Sequence, residues 1–326
     1  MNDTKIIEFL NGRTFAWLAC AQLLVTALFV AWSGLLPSPE SSGGLLFNID
    51  DTLAANSWLS VAAGVAGSMA AAWLMLLLNK WFTFVKSLTF VGAAAFFLLQ
   101  LATPLITSTF NTGTVMLLLL VVGALVLFGC YQDKHAQKPI FLVMCILAFG
   151  VMVRWAVVVL IPAFLLGFAY MRAMNWRGVM SALIGLVTPF WIVLGLGLAA
   201  PADFKLPELN PFWNTLDLSQ VRLLVAWVAF IVVLTIVLSV VNLFTIYSYR
   251  LQLRVYNAFF LMVTLFAVAA LCIDHRNLTA YLPVVNLCLS VQIAHAFTIS
   301  KFPKRHIFII ALVLACFSAS LASMAM

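Results

Sequence analysis

Arg154, in the run VMVRWAVVV, has apolar neighbours on both sides, a placement that is costly unless the guanidinium faces protein, water or a phosphate. Its planar fork of donors suits a lipid phosphate or pyrophosphate. The plainer use is an arginine that snorkels to headgroups or pairs with a loop carboxylate. Asp50 and Asp51, adjacent in FNIDDTLAANSW, could supply a general base for an acceptor hydroxyl or, with a divalent cation, hold a phosphate. Adjacent aspartates ahead of a helix more often cap it, a role open to Asp51 and Asn56. Asp274, His275 and Arg276, in CIDHRNLTAY, bring an acid, an imidazole and a guanidinium into one tight connection. That set could transfer protons or bind an anion, and it is also the ordinary make-up of a short polar turn.

These residues sit in a chain whose main solvent is lipid. Hydrophobic residues make up 65% and charged residues only 8%, against roughly 25% charged in a soluble domain. Apolar runs fall at about 15–36, 58–79, 87–106, 113–131, 139–153, 155–170, 178–199, 221–246, 256–273, 279–298 and 307–325. The expectation is an all-α, polytopic transmembrane helical bundle of about 11 segments, formed by residues 1–326 as one membrane domain with no appended soluble domain. The first run reads as an anchor that stays, since no small-residue cleavage pattern follows it promptly.

Charge sets the expected orientation. With the amino terminus in the cytoplasm, thirteen of the 17 Lys and Arg fall inside, Lys134, Lys138, Arg172 and Arg177 among them, and only Arg154, Lys205, Arg222 and Arg276 fall outside. This is the positive-inside pattern, and it places the carboxyl terminus outside, in the periplasm of a bacterial inner membrane. It also resolves residues 139–170. A single helix there would put one of the two flanking basic pairs outside, so the stretch reads as a hairpin of two short arms, 139–153 and 155–170, with Arg154 at the tip within the outer leaflet. The formal charge of +7 is scattered in ones to threes and points to topology instead of nucleic acid.

Other chemistry is thin. The six cysteines lie in or beside apolar runs without CxxC spacing and read as packing residues. The four histidines form no HxxxH or HExxH pair, so no metal site is expected. Asn242, Asn286, Ser290, Gln292 and His295 lie within spans, where interhelical hydrogen bonds are their commoner use and the lining of a conduit the rarer one. No acid or lysine falls mid-span, which counts against an ion-coupled carrier. The small-residue run AAGVAGSMAAA, 62–72, reads as a close helix contact, and Trp17, Trp58, Trp81, Trp155, Trp176 and Trp213 as an interfacial belt.

The segment from Arg154 to Gly197, with its short hairpin, the basic connection MRAMNWRG and the span ALIGLVTPFWIV, resembles a family of uncharacterised polytopic inner-membrane proteins of Gram-negative bacteria. The likeness rests on apolar pattern together with Gly185, Thr188 and Pro189. The carotene-oxygenase label that some members carry would require clustered histidines, which this chain lacks. The short broken helices and the acidic first outer loop also look like the membrane half of glycosyltransferases that use polyprenyl-phosphate sugars, with Asp50 and Asp51 matching the acidic motif of that loop. The likeness implies transfer or handling of a lipid-linked glycan at the outer leaflet. Arg154 and Arg276 would hold the lipid phosphate, and Asp50, Asp51 and His275 would do the proton chemistry. No cofactor is required beyond a possible role for a divalent cation. The expected partners are the bilayer, a polyprenyl-phosphate lipid and other membrane proteins. A non-catalytic subunit or scaffold of an envelope complex is the alternative, and a small-molecule transporter or channel a second one.

Overall fold

A backbone in hydrocarbon must satisfy its own hydrogen bonds, and this chain does so with helices: among the described residues there is no strand. A computed structural model describes residues 3–33, 45, 57–85, 89–198, 218–246, 250–274, 277–298 and 305–325. In chain order the helices are α1 (Asp3–Asn11), α2 (Arg13–Ser33), α3 (Ser57–Phe82), α4 (Val91–Leu101), α5 (Pro104–Thr107), α6 (Thr112–Gly129) and α7 (Gln137–Val153). After a 3-10 turn at Trp155–Val159 come α8 (Leu160–Tyr170), α9 (Trp176–Gly195), α10 (Leu218–Ile246), α11 (Leu251–Ile273), α12 (Leu278–Thr298) and α13 (Arg305–Ala325).

Among the described residues, eight helices are long and apolar enough to cross a membrane: α2, α3, α6, α9, α10, α11, α12 and α13. Three further apolar stretches, α4, α7 and the 3-10 turn with α8, are shorter. The run read as one span at 87–106 is divided, because Pro104 offers no N–H and pushes Thr103 out of helical geometry (φ −129°, ψ 59°). Helix α1 precedes the first apolar run, with Leu10 buried and Phe9 exposed.

The helices alternate in direction, so the bundle has two ends. At one end, the Gln132 N–H donates to the Met171 carbonyl (2.9 Å), Asn175 Nδ2 to the Lys134 carbonyl (2.9 Å) and Ser181 Oγ to the Gln137 carbonyl (2.6 Å). Those bonds bring the exits of α6 and α8 together with the entries of α7 and α9. Phe128 stacks on Tyr256 at 4.1 Å and meets Phe82 edge-on, which adds the exit of α3 and the entry of α11 to that end. Arg13 lies over the Phe90 ring, adding the entry of α2. Lys80, Lys134, Lys138, Arg172 and Arg177 therefore share what is here termed the basic end. Arg154 turns the chain at the opposite, tip end, and α7 with the 3-10 turn and α8 forms the hairpin that the flanking charges required.

Burial is uneven. Every residue in the apolar window of α12 is buried, whereas only about a fifth to a quarter of the windows of α9, α10 and α13 is. Helix α12 is thus the axis of the bundle, packed by α4, α6, α10 and α11. Glycines set the closest approaches. A Cβ at Gly64 would meet the Ser108 carbonyl at 2.5 Å, one at Gly67 would strike the Thr114 side chain, and one at Gly185 would meet the Phe141 carbonyl at 2.7 Å. The run 62–72 is a packing surface, and Gly185 is where α9 seats on α7.

Candidate functional site

Arg154 is 3% exposed and Asp274 2% exposed; among the described residues they and His295 are the buried acidic, basic or imidazole side chains. The backbone places Arg154 deliberately. It is both the C-cap of α7 and the N-cap of the 3-10 turn, in extended geometry (φ −146°, ψ 112°), with its N–H on the Gly150 carbonyl at 2.7 Å. Gly150 itself abuts Leu119 and Val157, so the turn closes tightly against α6.

Asp274 closes α11, its N–H on the Ala270 carbonyl at 2.8 Å. Asn277 Nδ2 donates to Asp274 Oδ2, and Oδ1 has no protein partner. The two residues lie at the same end of the molecule. Phe164 of α8 packs on Phe259 of α11 at 5.1 Å, and these antiparallel helices carry α8 from Arg154 toward the basic end and α11 from the basic end to Asp274. Asp50, Asp51, His275 and Arg276 lie outside the described residues, as does Trp213. Of the five residues assigned to phosphate binding or catalysis, Asp50, Asp51, Arg154, His275 and Arg276, Arg154 alone is described, and it is buried instead of snorkelling outward. No group of three or more His, Cys, Asp or Glu side chains able to hold a metal occurs among the described residues.

The polar residues at membrane depth converge on α12. Asn242 Nδ2 of α10 donates to the Gln292 carbonyl (2.9 Å) and to Gln292 Oε1 (2.8 Å), and Gln292 Nε2 donates to Asn257 Oδ1 of α11 (3.2 Å). Nearer the tip, Asn286 Nδ2 donates to Gln100 Oε1 of α4 at 3.1 Å. His295 sits edge-on to Phe84, ring centres 6.2 Å apart. Asn242, Asn286 and Gln292 are 0% exposed and form hydrogen-bonded packing between helices, and His295, 5% exposed, packs on Phe84, so none of them lines an open conduit. The sequence marked α12's polar residues, but Gln100 and Asn257 were missed as their partners. Each is a lone amide in an apolar helix, which is the signal that could have found them.

Trp17, Trp58, Trp81 and Trp176 are exposed, with Trp155 half-buried beside Arg154. No family model, no curated protein and no solved structure matches the chain.

Proposed function

We propose that this multi-pass protein lies in a bacterial inner membrane, with its amino terminus in the cytoplasm, its carboxyl terminus outside and about eleven segments in the bilayer, and that it holds a lipid-linked phosphate at the outer leaflet. The substrate class is a polyprenyl-phosphate glycan, handled or transferred in the manner of the membrane glycosyltransferases it resembles. Arg154 and Arg276 bind the phosphate, and Asp50, Asp51 and His275 serve the acceptor, with a divalent cation beside the aspartates where one is used.

The observation that carries the reading is the burial of Arg154 at the tip of two short helical arms. An arginine in an apolar turn is a costly placement, and its planar fork of donors matches the oxygens of a phosphate. Two features support the placement. The two arms, α7 and the 3-10 turn with α8, have 17 and 16 residues, or about 25 Å of helix each, a little less than the hydrocarbon core is thick, which would keep the tip within reach of a lipid phosphate. The connection that holds Arg276 leaves α11 at the same end.

Native mass spectrometry of the protein extracted with its own lipid tests this, comparing wild type with Arg154→Ala. The expected result is a co-purified polyprenyl-phosphate species that the substitution removes. A stoichiometric protein partner with no such lipid, unaffected by the substitution, would make the chain a subunit of a larger membrane assembly instead.

A further inference from the structure

Helices α7 and α9 both start at the basic end, so they run parallel, and α9 packs chiefly on α7. Gly178 and Gly185 of α9 seat on Ile140, Phe141 and Met144, and Ser181 bonds the Gln137 carbonyl. Each helix also carries an exposed stripe. On α7 it is Lys138, Leu142 and Phe149; on α9 it is Arg177, Ile184 and Trp191. At about 100° of rotation per residue, each stripe spans about 40° of its helix and lies about a third of a turn from the contact line, in opposite senses on the two helices. In a parallel pair both stripes therefore open on one side, the side turned away from α6. The outcome is a groove with two apolar walls, each headed by a cation.

More positive charge gathers at that head. The Asn175 side chain accepts the Gly178 N–H at 2.7 Å and donates to the Lys134 carbonyl at 2.9 Å, which sets Lys134 beside the start of α9. The Gln132 N–H on the Met171 carbonyl brings in Arg172 from the other connection. Arg172 has a left-handed backbone, φ 57°, so an arginine stands where the turn alone would favour glycine. Both Lys134 and Arg172 are exposed. Asp133 is the one acid from residue 131 to residue 177, and its Oδ1 already accepts the His135 N–H at 2.8 Å. Neither α7 nor α9 has an acid in its first turn, where one is ordinarily favoured. Four cations thus meet a single carboxylate.

We infer that this groove seats an anionic phospholipid. Lys134, Lys138, Arg172 and Arg177 hold its phosphate head, and its chains lie along Leu142 and Phe149 on one wall and Ile184 and Trp191 on the other. A soluble anion or an acidic peptide would meet the cations and leave the apolar walls unfilled. A zwitterionic lipid would fill the walls but bring a further cation to a head that already has four. Lysine and arginine meet phosphate oxygens through charge-assisted hydrogen bonds, and basic clusters between membrane helices are a recurrent seat for anionic headgroups. Exposed Tyr170 and Trp176 adjoin the head, each with a ring for apolar surface and a polar atom for the headgroup layer. The groove opens at the opposite end of the molecule from Arg154 and does not depend on the phosphate assigned there.

The test titrates the full chain in neutral detergent with phosphatidylglycerol and, separately, with phosphatidylcholine of the same acyl chains, following the first bound lipid by native mass spectrometry. Wild type should bind phosphatidylglycerol the more tightly. Lys138→Gln with Arg177→Gln should weaken that binding on the order of twentyfold, about fivefold for each charge, with phosphatidylcholine unchanged as the sign of an intact fold. Lys138→Arg with Arg177→Lys keeps both charges and should retain the preference. So should Lys80→Gln, a charge lost elsewhere at the same end, and Arg154→Ala, which separates this seat from the tip. Equal affinity of wild type for the two lipids overturns the proposal. Undiminished phosphatidylglycerol binding in the glutamine double variant does so too, as does an equal loss in Lys80→Gln, which would spread the attraction over the whole basic end. Should the double variant fail to fold, the two single glutamine variants decide by the same fivefold loss or its absence.

Discussion

Asn242 shows how one polar side chain holds a helix that is otherwise mostly in lipid. Helix α10 exposes Phe230, Val233, Ile236, Val240 and Phe244, while Asn242 turns inward, 0% exposed, and bonds Gln292 twice. Interhelical hydrogen bonds of this kind are worth about 0.6 kcal/mol on average and up to about 1.7 in membranes. Asn242→Leu should therefore lower thermal stability in mild detergent by an amount in that range, with the helical circular dichroism unchanged below the transition. A stability equal to wild type would mean that α10 is held by shape alone, through Ile231 and Leu238. Asn242 and Gln292 were legible as polar residues at membrane depth. Their pairing was not, because it joins residues fifty positions apart and depends on which face of each helix turns inward. Arg154 was legible as a charge set among apolar neighbours, but its burial was not, because snorkelling to headgroups fits the same run of residues.

At the scale of elements, the hairpin of α7, the 3-10 turn and α8 was readable from charge alone, since Lys134 and Lys138 on one flank and Arg172 and Arg177 on the other demand a return to the same side. The division of α4 from α5 was signalled by Pro104 but masked by the apolar residues around it. The full burial of α12 could not be read, because a helix apolar on every face shows no preferred side to periodicity analysis. Glycines separate contact from propensity. Gly185→Val should force α9 away from the Phe141 carbonyl and destabilise by about 1–3 kcal/mol, as overpacking does. Gly129→Ala meets nothing within 4 Å and should be neutral or stabilising by up to about 1 kcal/mol. Unfolding midpoints for the two variants, measured in the same detergent, check the contrast; equal effects would refute the seating of α9 on α7 at Gly185.

For the molecule as a whole, the open question is parity. Among the described residues eight helices have the length to cross, and α4, α7 and the 3-10 turn with α8 fall short, yet all three run between the basic end and the tip end as their longer neighbours do. Eleven crossings put the termini on opposite sides of the membrane, whereas eight put them on the same side. Short helices can cross where neighbours shield their ends, and α4, every residue of which is buried, is shielded along its whole length. The prediction is therefore that termini lie on opposite sides. Alkaline phosphatase, active only outside the cytoplasm, should be active when fused to the carboxyl terminus and inactive when fused within the 131–136 connection at the basic end. In a cysteine-free background, His135→Cys in intact spheroplasts should resist a membrane-impermeant maleimide and Leu198→Cys should react. An inactive carboxyl-terminal fusion with the same labelling pattern would show that one of the short helices dips in without crossing. Labelling of His135→Cys instead of Leu198→Cys would invert the whole bundle, because the basic residues gathered at one end by the fold would then face outward against the rule that their distribution otherwise obeys.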